Sequence, residues 1–150
     1  MEQWELIASE AIRHTIASYT FFADRGRIDD VANLFAPDGV LDVYGIGGAR
    51  AEGRDAIRAF FSGVGGDVAA TNPPGRMQHH VASLTIDALT PDEATAACYF
   101  TVFTGAGVDH WGRYRDRLVP VGDQWLFAER VVHTDGTTPG GWAASRRSSQ

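Results

Sequence analysis

Two adjacent histidines, His79 and His80, open a long alternating run, and an acid without an obvious neighbour, Asp24, closes a helical pattern far upstream. An imidazole titrates near neutrality, so a histidine turned into an apolar pocket can take up or release a proton. A carboxylate on its Nδ1 hydrogen would fix the tautomer and make the ring a better base. Neighbouring strand residues point to opposite faces, so one of the two histidines faces inward whichever way the strand lies. Strict alternation would put His79, Val81, Ser83 and Thr85 on one face and His80, Ala82, Leu84 and Ile86 on the other, the first being the more polar. Asp24 sits where the helix dipole disfavours negative charge, which asks for a partner. The plainer alternative is a core histidine with one structural hydrogen bond.

The elements that must bring these groups together follow from periodicity. Trp4, Ile7, Ala8, Ala11, Ile12, Ile16, Tyr19 and Ala23 recur at helical spacing and predict one long amphipathic helix. Asp24-Arg25-Gly26-Arg27 ends it, Asp29 is placed to cap a shorter helix, and Pro37-Asp38-Gly39 reads as a turn. Val40 to Tyr44 alternates as a strand, with a short second one near Ala49 to Glu52. Arg54 to Phe61 reads as a third helix with Ala56, Ile57, Phe60 and Phe61 on one side. The glycine-rich stretch from Ser62 to Gly75 reads as a long loop that could rim a pocket. The period then changes to two, giving strands over Met77 to Ala88, Ala94 to Thr104, Val108 to Val121 and Gln124 to Thr134. Their connections are short enough for antiparallel hairpins. Helices first and a strand meander afterwards is an α+β layout, with a concave sheet face and a pocket under the helices. The expected organisation is one domain over residues 1–135 and a flexible tail over 136–150, where Trp142 could dock.

Composition narrows the partners. A chain of 150 residues with 44% hydrophobic content suits a single core. A formal charge of −6 and dispersed arginines give phosphate backbones and anionic membranes nothing to hold, so no nucleic acid and no membrane is expected. No apolar stretch approaches the ~20 residues that span a bilayer, and the N-terminus lacks a signal-peptide pattern, so a cytoplasmic location is expected. Cys98 lies in an apolar run and reads as a small buried hydrophobe. Arg130, inside an apolar strand, needs a carboxylate if buried.

Other chemistries lack their signatures. Two adjacent strand histidines cannot both address one ion and no third ligand stands at metal spacing, so neither a metal nor a cofactor is expected. There is no Gly-x-Ser-x-Gly elbow, phosphate loop or dinucleotide fingerprint. Cofactor-independent acid/base work on a hydrophobic small molecule remains, with Tyr114 either a core aromatic or an oxygen-binding group. His110, near Gly107 and a hairpin, reads as exposed. Phe60, Phe103 and Trp111 are expected to contribute apolar contacts to the substrate.

Several stretches together resemble the SnoaL-like domains of the nuclear-transport-factor-two-like superfamily. They are Tyr19 to Asp24, Ile28 to Val40, Gly53-Arg54-Asp55-Ala56-Ile57, Gln78-His79-His80-Val81, Gly112 to Leu118 and Trp125 to Arg130. The resemblance implies a cone-shaped antiparallel sheet wrapped round the long N-terminal helix as an α+β barrel, assembled as a homodimer or homotrimer. It also implies a dehydratase or isomerase in which His79 removes a proton, Asp24 orients it, and Tyr19 and Tyr44 polarise a substrate oxygen. A polyketide-cyclase-type aldol enzyme and a non-catalytic ligand-binding domain are the alternatives. Related dehydratases carry a second acid or histidine on the strand after the histidine strand. This chain has Tyr99-Phe100-Thr101-Val102-Phe103 there, so a second proton donor is expected from Tyr114 or His110.

Overall fold

The computed structural model describes residues 1–69 and 76–147. Its elements run α1 (Gln3–Asp24), α2 (Ile28–Ala32), β1 (Phe35–Tyr44), β2 (Ala49–Glu52), α3 (Arg54–Ala69), β3 (Gln78–Leu89), β4 (Ala94–Thr104), β5 (Gly107–Val121) and β6 (Gln124–Thr137). The six strands form one sheet in the order β2-β1-β6-β5-β4-β3. The sheet is curved but open, with β2 and β3 as its edges. One pairing, β1 with β6, is parallel and the others are antiparallel. The architecture is therefore the expected α+β arrangement, without closure into a barrel.

The long helix lies on the sheet because its stripe is apolar: Ala8, Ile12, Ile16 and Tyr19 are buried. A Thr15 hydroxyl donating to the Trp125 carbonyl at 2.5 Å ties α1 to β6. The sheet supplies Phe35, Leu41, Cys98, Phe100, Val102, Leu118 and Phe127 from its concave face. Beneath them Arg130 is fully buried and donates to both oxygens of Asp116 at 2.7 Å. Its guanidinium lies 4.2, 4.0 and 4.3 Å from the ring centres of Tyr19, Tyr114 and Phe127, so a charge that burial alone would push towards neutrality stays ionised.

Four local features differ from the sequence expectations. Pro37-Asp38-Gly39 is an irregularity inside β1 instead of a turn, where the pairing with β6 shifts between Phe35 and Val40. A Cβ on Gly39 would lie 2.8 Å from the Phe127 carbonyl, so only glycine lets the two strands pass so closely. Asp29 does not cap α2 but pairs with Arg58 of α3 at 3.0 Å. The stretch from Ser62 to Ala69 continues α3 instead of looping, and residues 70–75 of the expected loop lie outside the described residues. Of the tail expected to be flexible over residues 136–150, residues 136–137 extend β6, residues 138–147 are packed, with Ala143 buried, a helical turn over Ala144–Arg146 and Arg147 bridged to Ile46, and residues 148–150 lie outside the described residues. No helix among the described residues is long and apolar enough to cross a membrane.

Candidate active site

The largest correction concerns β3. Against β4, its register slips between Ala82 and Thr85 and again between Ile86 and Ala88, and Ser83 adopts a positive φ of 55°. Each slip inserts one residue, so the inward set becomes His79, Val81, Leu84, Ile86 and Leu89 rather than a strict alternation. His79 thus shares a face with aliphatic core residues. His80 is exposed on the other face against Phe103, with ring centres 4.8 Å apart.

His79 meets Asp24 at the C-terminal end of α1. One carboxylate oxygen of Asp24 takes the His79 backbone N–H at 2.8 Å and the other lies 2.6 Å from Nδ1. A carboxylate can only accept, so the ring proton sits on Nδ1 and Nε2 keeps a free lone pair. Asp24 is only 11% exposed and His79 21% exposed, so water competes little for either bond.

A second pair faces the first. His110, expected to be exposed, is 6% exposed, and its Nδ1 lies 2.7 Å from Asp109. Asp109 is the extra residue at a register slip between β4 and β5, and that slip turns Asp109 and His110 inward together. The Asp109 carboxylate also accepts the backbone N–H groups of Trp142 at 2.6 Å and Ala143 at 3.1 Å. Burial lowers the pKa of His110, and the bond to Asp109 only partly opposes this, so the ring is neutral at neutral pH. The His79 and His110 rings are 6.5 Å apart and nearly perpendicular.

Both histidines open onto a cavity of about 660 Å³ between the concave sheet face, the end of α1 and α3. That volume lies within the ~300–1,000 Å³ usual for small-molecule sites. Tyr19, Tyr114, Phe60, Phe61, Phe100, Met77 and Val132 give it a mainly apolar wall. Burial pushes the Tyr19 hydroxyl up to about 12 and that of Tyr114 well above its ordinary value, so both are hydrogen-bond donors across the neutral range.

Of the residues expected here, Asp24, His79, Tyr19, Tyr114, His110 and Phe60 line the cavity. Tyr44, Phe103 and Trp111 do not. Tyr44 lies outside the cavity, stacked on His133 with its hydroxyl donating to Asp42 at 3.0 Å. Trp111 is 41% exposed, its ring against Gly136. Phe103 lies on the far face with His80 because β4 alternates without a break and Phe103 follows inward-facing Val102. Asp109 and Arg146 were missed by sequence reasoning, and Trp142 was expected only to dock from the tail. The one available signal was the Asp109-His110 adjacency itself, because a carboxylate next to an imidazole can orient it when a bulge puts both on one side. No cluster of three or more His, Cys, Asp or Glu among the described residues is arranged to hold a metal ion.

A family model for the SnoaL-like domain matches residues 4–131. Among solved structures, a candidate scytalone dehydratase from Novosphingobium aromaticivorans DSM 12444 is 25% identical. It has a TM-score of 0.76 over 92% of this chain and 91% of that one. An NTF2-like protein with a cystatin-like fold, from the same species, is 26% identical with a TM-score of 0.74 over 93% and 88%. A Catenulispora acidiphila protein in complex with S-DNPA is 27% identical, with a TM-score of 0.71 over 85% and 92%. No functionally curated protein matches the chain.

Proposed function

We propose that this chain, which belongs to the SnoaL-like domain family, is an enzyme that moves protons on a hydrophobic small molecule without a cofactor, as a dehydratase or isomerase. One observation carries the reading: Asp24 grips His79 through both ring and backbone, leaving a lone pair on Nε2 at the wall of an apolar cavity. A small-molecule site is what the family and the cavity support in general. The candidate scytalone dehydratase among the similar structures favours chemistry of this kind, and the complex of the Catenulispora protein with S-DNPA favours ligand binding.

In this scheme His79 Nε2 takes a proton from a carbon beside a carbonyl, and the electron pair moves onto the carbonyl oxygen. The protonated hydroxyls of Tyr19 and Tyr114 donate to that oxygen as it gains charge. The imidazolium, stabilised by Asp24, then hands the proton to a leaving hydroxyl on the next carbon, releasing water and forming the double bond. Delivered to a different carbon instead, the same proton gives the isomer. Neutral His110 accepts a hydrogen bond from the substrate hydroxyl and holds it in line.

The test is exchange of carbon-bound hydrogen for solvent deuterium in a panel of hydrophobic ketones and β-hydroxy ketones, followed by NMR. A positioned base contributes ~10²–10⁴-fold, so His79→Ala should slow exchange by about that factor while the circular dichroism spectrum is unchanged. Exchange at the full wild-type rate in His79→Ala would remove the histidine from the mechanism.

A further inference from the structure

The segment that follows β6 lines the cavity beside His110 and carries, among the described residues, a buried indole N–H without an acceptor and a guanidinium without a carboxylate partner. The Trp142 ring lies 6.1 Å from the His110 ring, and its indole N–H is buried without an acceptor among the described residues. Arg146 lines the same cavity, its guanidinium 4.4 Å from the centre of the Trp142 ring. Its backbone is held from two sides. The Arg146 carbonyl accepts the Gly47 N–H at 2.9 Å and its N–H donates to the Ala143 carbonyl at 3.0 Å. One guanidinium nitrogen donates to the Trp142 carbonyl at 2.8 Å and to the Ser145 hydroxyl at 3.4 Å. Arg27, Arg50, Arg58, Arg113, Arg117 and Arg130 each pair with a carboxylate, whereas Arg146, like Arg76 at the same cavity, has no carboxylate within ion-pair distance among the described residues. Asp67 and Arg76, the other charged residues of this cavity outside the two histidine pairs, are exposed and of opposite sign.

A pinned cation without a counter-charge, at the wall of an apolar cavity, suits a ligand that brings the missing anion. A single guanidinium flanked by an indole matches a planar, singly charged carboxylate on an apolar ring, whereas a phosphate would call for further donors. We propose that the substrate is an apolar, ring-containing molecule bearing a carboxylate, which Arg146 binds while Trp142 forms the wall against the ring. The proposal rests on the acid/base reading for what happens to the molecule, but not for how it is held.

Calorimetric titration at low ionic strength with 2-naphthoate and its neutral analogue 2-naphthamide tests it. A charge-assisted bond in a partly buried site should make the carboxylate bind about tenfold or more tightly than the amide. Arg146→Gln should bring 2-naphthoate down to the affinity of 2-naphthamide and leave the amide unchanged, and Arg146→Lys should restore part of the preference. Equal binding of the two compounds by the wild type overturns the proposal, as does binding of neither. Parallel loss of both in Arg146→Gln also overturns it, because that would make the arginine a support for the segment only. His79→Ala should keep the full carboxylate preference. A silent exchange assay alongside an intact preference would therefore refute the proton-transfer reading and leave this one standing.

Discussion

Replacing Asp24 with asparagine probes the tautomer directly. The carboxylate satisfies two donors on one residue, the His79 backbone N–H at 2.8 Å and the ring Nδ1–H at 2.6 Å. An amide of the same shape has one acceptor and one donor end. The backbone N–H cannot change its nature, so the amide oxygen must turn to it and the NH2 group then faces Nδ1. To accept from that group, the imidazole must move its proton to Nε2, which removes the lone pair from the cavity side. The base is then present but inverted. Deuterium exchange should fall by about 10²–10⁴-fold, equivalent to ~3–5 kcal/mol of barrier at ~1.4 kcal/mol per decade, with little change in melting temperature. Long-range ¹H–¹⁵N correlation of the histidine rings reads the cause without any substrate. Wild-type His79 should show a protonated Nδ1 and a bare Nε2, and Asp24→Asn should show the reverse. If the spectrum is unaltered, or if the tautomer flips and exchange stays at the wild-type rate, the argument from carboxylate to base is wrong.

Further predictions concern the scaffold that holds these groups. Asp116→Asn leaves Arg130 buried and charged without its bidentate partner, a loss of ~3–5 kcal/mol in comparable settings and on the order of 10 °C in melting temperature. A drop below ~1 kcal/mol in calorimetry would mean that the three aromatic rings suffice. Because burial lowers the pKa of His110 from 6.5, the unfolded chain binds the extra proton first. Its contribution is complete above that value and declines as pH falls through the lowered folded value. His110→Gln should flatten this part of a denaturant-midpoint profile, and an unchanged slope would contradict the assignment. At the alkaline end the sign reverses. Burial raises Cys98 from 9.0 to about 11 and Tyr19 from 10.0 to about 12, so the unfolded chain gives up its protons first. Stability should decline from about pH 9 upward, with Cys98→Ala removing the earliest part; a level profile there would show that these groups ionise freely in the folded protein.

The meander was legible because alternation and hairpin punctuation agree: the expected span of β4 is the observed one, and β5 and β6 differ from expectation only at their ends. Asp24 and His79 were legible too, one as an acid at an unfavourable helix end and the other as an imidazole opening a strand. The glycines at 63, 65 and 66 hid the second half of α3, since local propensity disfavours helix there although the helix runs on to Ala69. Facing was the harder quantity. Tyr44, Phe103 and Trp111 were assigned inward by type, and His110 outward by its place near a hairpin. For His110 and Trp111 the sheet decides otherwise because a register slip in β5 changes which parity points to the concave side, whereas Tyr44 and Phe103 alternate outward beside buried Val43 and Val102. The role of the last segment was hidden for another reason. Asp109 fastens Trp142 and Ala143 across a long separation that no short-range pattern encodes.

The left-handed serine in β3 has a consequence for how one strand can do two jobs. A ribbon of unbroken parity that aimed an imidazole at the cavity would have to send Leu84 and Ile86 into solvent, while one that buried those aliphatics would turn the ring out. The surplus residue at Ser83 acts as a half-twist in a belt, so that the edge nearest α1 serves reactivity and the far edge serves cohesion.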